Sequence, residues 1–168
     1  MKLNFKGFID TTLRDGQASP LLYDTYKYKF SLEEKKQIVN ALVKLGVRYF
    51  EFFSPVVNEE ERKNFLVLKK YIRSISTKKI YLLAHCRCHP LDIQAAIKAG
   101  FDGLNLYMGL SEKAQENYGK NLSELSSLIK ETFLSTRKKY PRIWLRYSGE
   151  DAFRTPLKNL FLVYDEIV

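Results

Sequence analysis

Short apolar runs alternate with longer stretches in which apolar positions recur every three or four residues, and this alternation repeats five times along the chain. Phe5 to Thr11 reads as a first strand, ending in the polar segment Asp10-Thr11-Thr12-Leu13-Arg14-Asp15-Gly16. Ser31-Leu32-Glu33-Glu34 has the form of a capping box, and Ile38, Leu42 and Leu45 follow at helical spacing until Gly46 stops the helix. Val47 to Phe53 predicts a second strand, closed by Ser54-Pro55. Asn58 with Glu61 opens a helix whose Phe65, Leu68, Ile72 and Ile75 make one stripe. Ile80 to Ala84 predicts strand three, and Leu91 to Ala99, with Gly100 behind it, the next helix. Gly103 to Met108 predicts strand four, and Leu122, Leu125, Ile129 and Phe133 mark a further helix. Ile143 to Tyr147 predicts strand five, and Thr155-Pro156 opens a last helix with Pro at its first position.

Strands that are apolar almost throughout and separated by helices predict an α/β fold with a parallel sheet covered on both faces. The polar residues choose between an open sheet and a barrel. Arg14 and Asp15 follow strand one, Glu51 lies in strand two, His85 ends strand three, and Arg146 and Glu150 end strand five. Charge gathered at the C-terminal ends of several strands is the active-site layout of a (β/α)8 TIM barrel. No Gly-rich phosphate loop follows strand one, which weighs against a dinucleotide-binding sheet. A complete barrel takes about 250 residues. The 168 residues therefore predict a partial barrel, about the first five βα units, with residues 1–168 as the N-terminal part of a catalytic domain.

Composition narrows the setting. With 45% hydrophobic and 14% aromatic residues the chain can bury a core. No apolar run approaches the ~20 residues of a membrane span, and the first six residues do not resemble a secretory signal. The two cysteines, Cys86 and Cys88, are separated by a single residue, which argues against a secreted disulfide scaffold and for a cytoplasmic setting. The net charge of +9 comes from dispersed pairs such as Lys35-Lys36, Lys69-Lys70 and Lys78-Lys79, expected mainly on solvent-facing helix surfaces. No nucleic-acid motif accompanies them, so neither nucleic acid nor membrane is an expected partner.

Three constellations can carry chemistry. Arg14-Asp15 joins a possible oxyanion stabiliser to a hard metal ligand, or is a local ion pair. His85-Cys86-Arg87-Cys88-His89 has zinc-ligand residue types, but strand alternation puts His85, Arg87 and His89 on one side and the cysteines on the other. His85 is then expected to face the barrel mouth as a hydrogen-bonding or proton-transfer group while the cysteines pack. In Arg146-Tyr147-Ser148-Gly149-Glu150-Asp151, an Arg can clamp a carboxylate and a neighbouring Glu can move a proton.

These segments, in order, resemble a known family. Asp10 to Gly16 is similar to the signature of the metal-dependent acyl-CoA-condensing and -cleaving barrels that include homocitrate synthase, isopropylmalate synthase and hydroxymethylglutaryl-CoA lyase. Glu51-Phe52-Phe53-Ser54-Pro55-Val56-Val57, His85 to His89, Gly100-Phe101-Asp102-Gly103 and Arg146 to Arg154 resemble the homocitrate synthase segments at strands two to five. The resemblance implies a Claisen-type condensation of acetyl-CoA with a 2-oxo acid. It implies Asp15 as a ligand of Mg²⁺, Mn²⁺ or Zn²⁺, Arg14 as stabiliser of the enolate or ketone oxygen, and His85 and Arg146 as holders of the 2-oxo acid. Ser148 would help them, and Glu150 would take part in proton transfer.

The chain departs from the family in places. Gln17-Ala18 stands where members carry a pair such as Glu-Gln, Asn105 where an acidic residue is usual, and the segment Ser19 to Phe30 is long. The family's late His-x-His metal motif has no counterpart, since the two histidines here are His85 and His89. The chain alone is accordingly expected to be inactive, and either to form homo-oligomers or to need the missing C-terminal half of the barrel. The alternatives are an aldolase or lyase of the same superfamily, and a non-catalytic partial barrel that assembles with a second chain.

Overall fold

A computed structural model describes residues 7–18 and 29–167. Among these, strands β1 (Ile9–Asp10), β2 (Tyr49–Phe53), β3 (Tyr81–Arg87), β4 (Gly103–Gly109) and β5 (Trp144–Glu150) form one sheet in the order β1-β2-β3-β4-β5. Every pairing is parallel. Helices α1 (Thr12–Ala18), α2 (Leu32–Lys44), α3 (Glu59–Ile75), α4 (Pro90–Ala99), α5 (Glu112–Tyr118), α6 (Leu122–Lys139) and α7 (Leu157–Ile167) alternate with them. This is a half-barrel of the TIM type, the fold class that the hydrophobic pattern predicts.

The two-residue period of the strands sorts the side chains. Phe50 and Phe52 of β2, Leu82, Ala84 and Cys86 of β3, and Leu104 and Leu106 of β4 are buried in one apolar core. The helices complete that core with Val39, the α3 stripe Phe65, Leu68 and Ile72, and Leu125, Ile129 and Phe133 of α6. The alternate strand residues face the concave side. Its lower layer is aromatic: Tyr49 stacks on Tyr81 at 5.0 Å and lies 6.0 Å from Trp144. With Gly7 and Ile9 these rings line a hollow of about 270 Å³, and Trp144 remains 41% exposed.

The helix signals hold with informative exceptions. Ser31 and Glu34 form the expected capping box, and Gly46 and Gly100 end their helices at φ 81° and 78°, a left-handed backbone that glycine adopts at little cost. Asn58 caps α3 by accepting from the Glu61 N–H at 2.7 Å, but the Glu61 side chain turns instead to Lys35, whose Nζ is 2.7 Å away. Lys35, expected on a solvent face, is thereby buried between α2 and α3. Leu45, expected in the helical stripe, is exposed because the helix ends at Lys44, and Val39 takes the core position. Strand one is shorter than expected within the described residues, and much of Ser19–Phe30 lies outside them. Two short helices were not anticipated: α1, in the polar segment after strand one, and α5, bounded by the Ser111 cap and Gly119.

Candidate active site

Asp10 converts the end of β1 into the start of α1, because its carboxylate accepts from the Thr12 N–H at 3.0 Å and the Thr12 hydroxyl at 3.1 Å. The turn brings Arg14 over the sheet. There Nε donates to Glu51 Oε1 at 2.8 Å, and the other end of the guanidinium grips Asp15 at 2.6 and 2.8 Å.

Glu51 is the hub. It is 1% exposed on β2, and its second oxygen accepts from Asn105 Nδ2 of β4 at 2.8 Å. Asn105 Oδ1 in turn accepts from the Ser148 hydroxyl of β5 at 2.8 Å, and Nδ2 lies 3.2 Å from His85 Nδ1. Parallel pairing builds this layer, since His85 is opposite Asn105 and Asn105 is opposite Arg146. Burial of a carboxylate is tolerated here because a guanidinium and an amide satisfy it.

His85 stacks on Tyr107 with ring centroids 4.1 Å apart and planes 4° from parallel. Its pKa is lowered to about 3, first by burial and then by the charges of Arg14 and Arg146, so the ring is neutral. The contact of 3.6 Å between His85 Nδ1 and Glu51 Oε1 is therefore not an ion pair. Glu150, at the end of β5, has its carboxyl pushed up, first by partial burial and then by the neighbouring Asp151 charge. That suits a group exchanging protons closer to neutrality. A cleft of about 480 Å³ opens at this end of the sheet, with Arg14, His85, Arg87, Tyr107 and Glu150 among its walls and Val56 and Val57 on its apolar side.

Of the expected residues, Arg14, Asp15, His85 and Ser148 join one hydrogen-bonded group. Arg146 is exposed, makes no hydrogen bond or ion pair among the described residues, and acts on His85 through its charge. Glu150 lines the cleft without joining the network. His89 is not on the strand: it caps α4, its Nδ1 accepting from the Leu91 N–H at 3.3 Å. Cys86 and Cys88 pack in the core, where burial pushes both thiols up to about 12. The sequence places Glu51 in the strand-end charge layer and Asn105 where the family carries an acidic residue, but it assigns neither one its partners, which the structure supplies.

A divalent metal is a poor fit to these side chains alone. Asp15 offers one carboxylate, already shared with Arg14, and no group of three or more His, Cys, Asp or Glu among the described residues could hold an ion.

Known proteins place the chain. The HMGL-like family model matches residues 6–168. The mitochondrial homocitrate synthase of Saccharomyces cerevisiae is 33% identical over 168 residues, 98% of this chain and 35% of that protein. The 2-isopropylmalate synthase of Buchnera aphidicola is 32% identical over 164 residues, 95% of this chain and 29% of the relative. Among solved structures, the HMG-CoA lyase of Bacillus subtilis superposes with a TM-score of 0.64 at 17% identity, covering 99% of this chain and 55% of that one, which speaks to fold alone. The chain spans about a third of the length of the curated relatives it matches. The ordered segments at five strand ends, the half-barrel and the family match agree, and the chain belongs to the HMGL-like family.

Proposed function

We propose that this chain is the N-terminal part of a homocitrate synthase-like acyltransferase domain, one that condenses acetyl-CoA with a 2-oxo acid in a Claisen-type reaction, and that it is inactive alone. The observation that carries this reading is the layer Arg14–Glu51–Asn105–His85, closed by Ser148, beneath a cleft at the C-terminal strand ends. Arg146 brings to the same face a guanidinium that is unpaired among the described residues and suited to a substrate carboxylate, with His85 and Ser148 beside it. Arg14, held by Glu51 and Asp15, presents fixed positive charge where an enolate or ketone oxygen develops negative charge. Glu150, its carboxyl pushed up, is the candidate for proton transfer.

Dependence on Mg²⁺, Mn²⁺ or Zn²⁺ belongs to the proposal, with Asp15 as its one candidate ligand here. Each role above rests on this chain's own side chains. The exposed aromatic layer and the sheet edges at β1 and β5 favour self-association, or pairing with a polypeptide that supplies further strands. The setting proposed is cytoplasmic.

Release of free CoA thiol from acetyl-CoA, with a panel of 2-oxo acids and each metal, tests the reading. The expectation is no release by the chain alone and release when it is joined to a C-terminal barrel half carrying His-x-His. Turnover by the chain alone would overturn the predicted inactivity. A joined chain that cleaves a hydroxyacyl-CoA but never condenses would assign it to the lyases.

A further inference from the structure

The buried layer determines which nitrogen of His85 carries its proton. Glu51 accepts at both oxygens, from Arg14 Nε at 2.8 Å and from Asn105 at 2.8 Å. An ionised carboxylate only accepts, so Asn105 must turn its NH₂ group, not its carbonyl, towards Glu51. The carbonyl then faces Ser148, whose hydroxyl donates to it at 2.8 Å. The same NH₂ group lies 3.2 Å from His85 Nδ1 and still has one N–H to give. Opposed by a donor, Nδ1 must be an acceptor. The competing arrangement, Nδ1–H donating to Glu51, spans 3.6 Å, too far for a hydrogen bond. A neutral imidazole with a bare Nδ1 carries its proton on Nε2. The parallel stack on Tyr107, 4.1 Å away, holds the ring in the plane that makes this contact.

We infer that Asn105 is a positioning residue that fixes His85 as the Nε2–H tautomer, so that His85 meets its ligand as a hydrogen-bond donor and not as a base. The tautomer follows from the geometry; that the ligand is a 2-oxo acid, whose carboxylate or carbonyl oxygen would accept from Nε2–H, rests on the function proposed above. An acidic side chain at position 105 would do the opposite, accepting from Nδ1–H and leaving Nε2 bare.

Nitrogen-15 NMR of the His85 imidazole at neutral pH, on the full chain without ligand, tests the inference. The wild type should show a protonated Nε2 and a bare Nδ1. The near-isosteric Asn105→Asp should move the proton to Nδ1 or bind a second one. Ser148→Ala should leave the wild-type tautomer in place, because Glu51 still orients the amide. A wild-type proton on Nδ1 overturns the inference outright, whether or not the variants fold. So does an Asn105→Asp protein with an unchanged imidazole, or a Ser148→Ala protein with an inverted one. Since no substrate is present, the result is independent of whether the chain takes part in condensation.

Discussion

Arg14 and Glu51, 37 residues apart in sequence, meet with Nε 2.8 Å from Oε1 under the mouth of the half-barrel, where the carboxylate is 1% exposed. The pair ties the turn after β1 to the middle of β2, and α1 packs on that strand. Removing the guanidinium leaves a buried carboxylate without its countercharge. Arg14→Ala is expected to cost about 3–5 kcal/mol in unfolding free energy. Adding Glu51→Gln to Arg14→Ala should restore a large part of that loss, because the residual charge is gone. Urea titration of the two single variants and the double variant measures the coupling; strict additivity would show that the pair is not energetically linked.

Stability should fall as the solution is acidified below about pH 6.5. The sign follows from His85: its folded pKa is lowered to about 3, so in that window the unfolded chain binds a proton that the folded chain refuses. Unfolding free energy then drops by about 1.5–2 kcal/mol between pH 6.5 and pH 5 from this group. Glu150, with its carboxyl pushed up, acts in the opposite sense over its own range, so the contribution is read as the difference between wild type and His85→Gln. Equal pH slopes for the two proteins would contradict a buried neutral His85.

Cys86 and Cys88 should resist alkylation in the folded protein and react once it is unfolded. Both are buried, at 0% and 2% exposure, and both thiols are pushed up to about 12, which leaves almost no thiolate at neutral pH. Mass spectrometry after iodoacetamide treatment, with and without urea, counts the labels. Rapid native labelling would place them outside the core.

Trp144, the chain's one tryptophan, sits on the aromatic concave layer at 41% exposure and so reports on that surface. If the open face and strand edges drive association, tryptophan emission should shift to the blue and acrylamide quenching should weaken as protein concentration rises. Sedimentation should show larger species over the same range. A monomer with constant emission would contradict the proposed association.

Much of this architecture is legible along the chain. Apolar runs such as Val47–Phe53 and caps such as Ser31 with Glu34 act locally, and β2 and α2 form where these signals place them. What was missed depends on distant partners. Lys35 looks like a surface lysine until Glu61, 26 residues on, turns away from its own cap to meet it. Strand five runs on to Glu150 because its residues pair with β4 as far as Gly109, a partner that no local pattern reveals. The candidate site divides in the same way. The charged strand-end residues are visible singly, whereas Glu51 of β2 and Asn105 of β4 become its centre only when their side chains meet across the intervening β3, 54 residues apart in sequence.

Under the function proposed above, this end of the sheet is the 2-oxo acid half-site of a condensing barrel. Titration of the folded chain with a graded series of 2-oxo acids, followed by ligand-observed NMR, tests it most directly. Saturable binding of at least one 2-oxo acid is expected, weakened about tenfold or more by Arg146→Gln, which removes a charge-assisted hydrogen bond. Absence of saturable binding across the series, or binding that Arg146→Gln leaves unchanged, would contradict it.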